Sequence, residues 1–348
     1  MQEYDYDYQR VIDAENAEKA VKKRPASVLP EPKKPPYARM FAADIVHTVA
    51  CGFASVLLGA VSLLLTGDAV DTSSASFSVG VQVLGMLYWG LYVLIPFLFA
   101  KATYRTQRPR LAFMGCFYVQ SILSSVLAGV TTRILDIGLN NLSVPDPELN
   151  TVVLTGVSSS ASTAVLIVFQ LVVLYLVVKK MAENGLFEEE TALTKPSFGG
   201  QNPKIPVIAA VCAALMSLFT DGVGILVSHF VSEEPGARNV LLTALSGLVS
   251  LGTVVLCFAV GKRICKRQDG ALLFTGLVTG ASAISFGKGA VDLIFAVVSV
   301  LKGALMPGSV ETAVSCVSVL AQAVVAALLV TFVFRRLNRA EEPTKITK

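Results

Sequence analysis

The chain has 348 residues, of which 53% are apolar and 16% are Asp, Glu, Lys or Arg, whereas soluble domains carry about 25% charged residues. This composition excludes an ordinary water-soluble fold. The formal net charge of +4 is modest, so the total charge gives no support to nucleic-acid binding.

The chain opens with a polar tail over residues 1 to 39, which has an acidic, tyrosine-rich head and a proline-rich linker. Five prolines between positions 25 and 36 forbid a helix there, so the linker is expected to be extended. The tail is charged and holds no apolar core, which argues against a cleaved secretory signal. We expect a solvated tail, with docking of a cytoplasmic partner or phosphorylation as the functional alternative.

Eight apolar runs follow the tail, and each is long enough to cross a hydrocarbon core about 30 Å thick. The runs are continuous rather than alternating, which favours helices over the strands of a barrel. They predict an all-α, multi-pass membrane protein with about eight transmembrane helices. The predicted spans cover residues 41 to 66, 79 to 100, 111 to 139, 152 to 178, 205 to 231, 239 to 261, 270 to 301 and 312 to 334.

The distribution of basic residues predicts the orientation. On one side of the predicted membrane, the tail and the connecting segments hold 25 of the 29 Lys and Arg residues. The opposite loops hold only Arg238 and Lys302, beside seven acidic residues. Because basic residues are retained in the cytoplasm, both termini are expected to be cytoplasmic and the membrane is expected to be the plasma membrane.

The spacing of the spans suggests an internal repeat. Spans one to four pair with spans five to eight at offsets of 159 to 164 residues, and at an offset of 156 Asp136 aligns with Asp292. The alternative is eight evenly spaced spans of no common origin. The repeat would divide the chain into a first four-helix half (40 to 178), a cytoplasmic joint loop (179 to 204), a second half (205 to 335) and a charged C-terminal tail (336 to 348).

Span seven is too long for a membrane and carries a possible ion pair. Thirty-two residues separate Asp269 from Lys302, or about 48 Å of helix, so the span must tilt, protrude or break. Two glycines flank Lys288 near its midpoint and would permit an unwound segment. Lys288 and Asp292 are four residues apart and share a face if the helix continues. We expect a buried or cavity-lining pair, with a protruding helix as the alternative.

Three further charged residues lie inside apolar runs. Asp221 is about three residues beyond the centre of span five, too deep to reach water easily, and an acid there is a candidate site for a proton, a cation or Lys288. Arg133 and Asp136 form an analogous pair in span three. They lie near the outer boundary, where an interfacial anchor is the competing interpretation.

Enzyme and cofactor motifs are not recognisable. The Glu188 to Glu190 cluster lacks histidine-bearing spans, and no GxSxG surrounds the serines at 158 to 162. The only histidines are His47 and His229 and there is no CxxC pair, so we expect no metal, no other cofactor and no disulfide framework. His47 and the nearby Asp44 are expected at the headgroup level.

These observations favour a permease-like protein that moves a small solute or ion between two helical halves. Asp221, Lys288 and Asp292 would line its path, with Arg133 and Asp136 as lesser candidates. The alternative is a non-transporting scaffold, sensor or accessory subunit whose tail recruits partners. Four glutamines within spans are expected to join helices by hydrogen bonds, with the lining of a polar path as the alternative: Gln82, Gln120, Gln170 and Gln322. Gly276 and Gly280 are expected to permit close helix packing.

Overall fold

The computed structural model describes residues 35–66, 75–140, 147–188, 204–230, 237–265, 267–302 and 308–340. Within these ranges all regular structure is helical, as predicted. The polar tail before residue 35, residues 189–203 of the predicted joint loop and the C-terminal residues 341–348 lie outside them. The described helices are α1 Tyr37–Thr66, α2 Ala75–Thr103, α3 Gln107–Asn140, α4 Pro147–Glu183, α5 Lys204–Phe230, α6 Ala237–Ile264, α7 Gln268–Ala283, α8 Phe286–Lys302 and α9 Gly308–Ala340.

Seven stretches of the described residues are long and apolar enough to cross a membrane, with α7 and α8 counted as one and α1 not among them. Their mean hydropathy lies between 1.7 and 2.5. Large apolar side chains also point outwards: along α5, Val207, Val211, Leu215 and Phe219 are 47% to 62% exposed. A soluble monomer rarely exposes such a continuous apolar surface, which lipid would cover. The chain is a multi-pass integral membrane protein.

Helices α1 to α4 are called the first set below, and helices α5 to α9 the second set. In the first set α1 contacts α2 and α4, and α3 contacts α2 and α4. In the second set α5 contacts α6 and α9, α7 contacts α6, and both α7 and α8 contact α9. The sets meet where α3 contacts α6 and α7, and where α2 contacts α8. Helices α3 and α7 therefore lie at the centre of the bundle.

Two glycines let α3 and α7 cross at close range. A Cβ atom added to Gly276 would lie 2.9 Å from the Cα of Gly115, and one added to Gly115 would lie 3.1 Å from the Cα of Gly276. Four residues further along α7, Gly280 lies against the ring of Tyr118. Small residues allow backbones to approach where larger ones would collide. The close packing predicted for Gly276 and Gly280 is confirmed.

The long seventh span is broken. Helix α7 ends at Ala283 and α8 begins at Phe286, with Ile284 and Ser285 between them. The length of this span allowed it to tilt, to protrude or to break, and in the structure it breaks. It precedes Gly287, one of the two glycines expected to weaken the helix, by two residues.

Helices α4 and α9 continue past the predicted ends of their spans, at 178 and 334, to Glu183 and Ala340. An apolar run ends where a membrane ends, but helical hydrogen bonding continues into water. In these extensions Lys179 lies over the ring of Tyr175 at 5.8 Å, and the guanidinium of Arg336 lies over Phe332 at 5.3 Å. Each basic side chain covers the last apolar turn of its helix.

Candidate functional site

A cavity of about 270 Å³ lies between the two sets of helices and is called the central cavity below. Helices α2 and α3 of the first set, α5, α6 and the end of α7 of the second, and the break after α7 form its walls. Six serine and threonine residues from α3, α5, α6, the end of α7 and the break line it, together with a carboxylate and three aromatic rings. The hydroxyl residues are Ser121, Ser125, Thr220, Ser250, Ser282 and Ser285.

Asp221 supplies the charge of the central cavity. Its Oδ2 atom is buried and receives no hydrogen bond from the described residues. Lys288 is near enough to act on the carboxylate electrostatically, but no ion pair within 4 Å joins them in the described part of the chain. An acid within a membrane span costs about 2.5 to 3.5 kcal/mol on insertion scales. A carboxylate among the lining residues of a cavity can receive a cation or a hydrogen-bond donor.

Three rings of α2, called the aromatic trio, form another wall of the cavity: Tyr88, Trp89 and Tyr92. The Trp89 ring stands nearly perpendicular to both tyrosines, with centroid distances of 5.0 Å to Tyr88 and 5.6 Å to Tyr92. The two tyrosines are stacked at 6.0 Å. Edge-to-face and offset contacts of this kind are favourable, so the trio is a fixed aromatic surface.

His47 and Asp44 lie behind the aromatic trio. Both residues are buried, at 6% and 7% exposure. The His47 ring lies 5.3 Å from Tyr88 and 5.2 Å from Tyr92, and the side chain of Gln120 on α3 lies near the Asp44 carboxylate. Neighbouring helices therefore enclose these two polar side chains, which support the trio from outside the cavity.

The helix break is stabilised by Gln322 of α9. Its Oε1 atom accepts a hydrogen bond of 3.0 Å from the backbone N–H of Gly287, and its Nε2 atom donates one of 2.8 Å to the carbonyl of Ile284. One buried amide thus provides hydrogen bonds to two backbone groups that make no regular helical hydrogen bond at the break, the Ile284 carbonyl after α7 and the Gly287 N–H at the start of α8. This confirms the expected interhelical role for Gln322 and explains how the break is tolerated inside a membrane span.

The predicted pair of Lys288 and Asp292 is not joined in the structure. Asp292 instead accepts a 2.6 Å hydrogen bond from the hydroxyl of Ser318 on α9. Lys288 is half-buried and, among the described residues, forms no ion pair. Asp292 does not line the central cavity, because its carboxylate is turned towards α9.

The remaining predicted pair lies away from the central cavity. Arg133 is exposed on α3 and does not line the cavity. The backbone of Asp136 belongs to α3, but its side chain lies outside the described part of the structure. Of the five predicted site residues, Asp221 alone is a lining residue, with Lys288 within electrostatic range of it.

A buried ion pair between α3 and α7 is not anticipated by the sequence. Arg108 and Asp269 form it with side chains 6% and 5% exposed, and Arg267 adds a contact of 3.1 Å to the same carboxylate. In the sequence both residues look like ordinary members of basic loops. The one available signal is that Asp269 is an isolated acid among four Lys and Arg residues.

Three further hydroxyls lie between the cavity and the end of the bundle where α3 and α7 begin. Within the described residues, three buried hydroxyl oxygens on three helices have no hydrogen-bond partner. Each precedes a cavity-lining residue by three or four positions, about one helical turn. They are Tyr118 before Ser121, Ser217 before Asp221 and Thr279 before Ser282. An unpartnered buried polar group costs about 1 to 3 kcal/mol, so these positions favour contact with water or a solute.

No protein-family model, curated protein or solved structure matches this chain. The functional interpretation therefore depends on the geometry of the central cavity. A carboxylate, several hydroxyls and aromatic rings are groups that bind a small molecule reversibly and orient it.

Proposed function

We propose that this chain is a permease that carries a small solute or ion along a polar path between two helical halves, α1–α4 and α5–α9. The observation that carries the proposal is the central cavity between those halves, whose lining includes Asp221, a carboxylate with one buried oxygen that has no hydrogen-bond partner among the described residues. A cavity next to a broken helix at the interface of two halves is typical of transporter binding sites. In this proposal Asp221 contacts the solute, and Lys288 modulates the charge of the Asp221 carboxylate.

The two halves are proposed to be parallel repeats. Residues 100–120 and 261–281 align at an offset of 161 without a gap. Residues at equivalent positions then meet across the centre, as expected near a two-fold axis: Gly115 with Gly276 and Arg108 with Asp269. The identical pairs are Lys101 and Lys262, Gln107 and Gln268, Leu111 and Leu272, Phe113 and Phe274, and Gly115 and Gly276.

The end of the bundle where α3 and α7 begin is proposed to be a closed gate. The Arg108 and Asp269 pair, the glycine crossing and the unpartnered hydroxyls follow one another towards the cavity. Arg108 precedes Ser121 by 13 residues, or about 20 Å along α3. Separation of α3 and α7 at this end would let water reach the hydroxyls of Tyr118, Ser217 and Thr279 and would open a path to the cavity. Each wall of the cavity would move together with the helical half to which it belongs.

The membrane topology belongs to the same proposal: eight spans including α1, both termini in the cytoplasm and the gate on the cytoplasmic side. In a variant without native cysteines, cysteines at Ser73 and Ser309 are expected to react with an impermeant thiol reagent in intact cells. A cysteine at Ser197 is expected to react only after the cells are opened. Labelling at Ser197 in intact cells would reverse the proposed orientation.

Transport is tested with purified protein in liposomes. The vesicles are incubated with a defined mixture of amines, amino acids, sugars and organic acids, and their contents are analysed by mass spectrometry. At least one solute is expected to enter these vesicles in larger amounts than it enters protein-free vesicles. Asp221→Asn is expected to abolish this uptake. Asp292→Asn is expected to retain it, because the Asp292 carboxylate accepts a hydrogen bond from Ser318 and does not line the cavity. No accumulation by folded protein would contradict the permease and favour the scaffold.

A further inference from the structure

We propose that the central cavity binds a small organic cation, an ammonium ion with apolar substituents, between Asp221 and the aromatic trio. The inference depends on the proposed function for its location, since it names the solute class of the same site. Binding and transport are nevertheless separate properties, and each can be measured without the other.

The first argument is the charge of the site. Asp221 has the only Asp, Glu, Lys or Arg side chain among the described residues that line the cavity. Its Oδ2 atom is buried and has no partner among them. A solute with a negative group would meet this carboxylate without a compensating cation in the wall, whereas a positive solute would neutralise it. Lys288 acts on Asp221 from outside the lining, so a bound cation would compete with its charge.

The second argument is the aromatic wall. Tyr88, Trp89 and Tyr92 lie within 6.0 Å of one another and line the same cavity as Asp221. Aromatic faces attract cations that approach within about 6 Å, and organic ammonium ions use this contact because their alkyl groups also bury apolar area. A hard inorganic cation uses oxygen ligands alone, so it would make no use of the aromatic wall.

The third argument is size and lining. The volume of about 270 Å³ equals roughly nine water molecules at about 30 Å³ each, which suits a solute of about ten non-hydrogen atoms or fewer. Apolar residues stand beside the hydroxyls, among them Ile122, Val126 and Met216. The combination fits a compact cation with methyl or methylene groups better than a sugar, which requires hydrogen-bonding groups on every side.

Trp89 makes the test direct, because it is the only tryptophan of the chain and lines the cavity. Protein in lipid nanodiscs is titrated with tetramethylammonium chloride while its fluorescence is recorded, at an ionic strength held constant with sodium chloride. Tert-butanol and trimethylacetate, which have similar branched shapes but are neutral and anionic, are the controls. A saturable change is expected with tetramethylammonium and none with either control.

Variants connect the signal to the site. Asp221→Asn is expected to weaken tetramethylammonium binding at least about tenfold, because the attraction between the ammonium charge and the carboxylate is lost. Asp292→Asn is the matched control and is expected to leave the affinity within about twofold of the unmodified protein. Lys288→Met is expected to tighten binding several-fold by removing the competing charge, and it serves as the test if Asp221→Asn does not fold.

Several results would overturn the inference. These are an equal response to tert-butanol or trimethylacetate, no response to tetramethylammonium, saturation by sodium at similar concentrations, or unchanged affinity in the folded Asp221 and Lys288 variants. Failure of the permease proposal looks different. Tetramethylammonium binding without uptake of any solute into liposomes would support the cation site and contradict the transport function. Uptake of neutral or anionic solutes alone would support transport and contradict the cation site.

Discussion

The amide of Gln322 is expected to be a principal support of the helix break, and Gln322→Leu tests this. The side chain is fully buried, and leucine fills a similar volume without hydrogen-bonding groups. The substitution removes the acceptor of the Gly287 N–H and one donor to the Ile284 carbonyl.

The expected loss of stability depends on which hydrogen bonds the two backbone groups keep after the substitution. Gly287 lies in the first turn of α8, where its N–H has no partner within the helix, so its loss costs about 1 to 3 kcal/mol as an unsatisfied buried donor. The Ile284 carbonyl still accepts from the N–H of Phe286, so it loses about 0.5 to 1.5 kcal/mol, the net value of one hydrogen bond. We expect the free energy of unfolding to fall by about 1.5 to 4.5 kcal/mol in total.

The assay is reversible unfolding in mixed micelles, followed by circular dichroism. Gln170→Leu is the matched control, because the Gln170 side chain of α4 is half-buried and makes no hydrogen bond within the described residues. Its effect is expected to stay within about 0.5 kcal/mol. If Gln322→Leu were as stable as Gln170→Leu, the break would not depend on this amide and the reasoning would be refuted.

Three further predictions concern the gate, the helix break and the tail. Arg108→Met is expected to cost less than about 3 to 5 kcal/mol, the loss from a fully unpaired buried charge, because Arg267 still contacts the Asp269 carboxylate, and the double variant Arg108→Met, Asp269→Leu is expected to cost less again; equal losses in thermal denaturation would contradict a buried pair. Gly287→Ala is expected to lower folded yield more than Gly289→Ala. The added Cβ would lie 2.6 Å from a backbone oxygen of α9 in the first case and 2.8 Å from a mobile methionine sulfur in the second. Deletion of residues 1–36 is expected to leave membrane insertion intact, as judged by fractionation, since insertion follows from the apolar spans; a soluble deletion product would show otherwise.

The candidate site was only partly predictable from the sequence. Asp221 could be anticipated because a carboxylate inside an apolar run is costly wherever the helix faces. The aromatic trio could not, since tyrosine and tryptophan are ordinary in membrane spans and only the position of α2 directs three of them into the cavity. The expected partnership of Lys288 and Asp292 depended on helical spacing alone, which does not reveal that Ser318 of another helix lies within 2.6 Å of the carboxylate.

The sequence by itself determined that this is a helical, multi-pass membrane protein whose seventh apolar run is too long to cross as one straight span. Those properties depend on the free energy of transferring segments of about 20 residues from water to lipid. The composition and length of a segment determine this free energy, whichever other helices pack against it. The tertiary structure alone decided that α7 stops at Ala283, that Gln322 bridges the gap and that Arg108 meets Asp269 across 161 residues of chain. Hydrogen bonds and ion pairs require atoms within about 3 Å, and which helix faces come that close is settled only when the whole bundle packs.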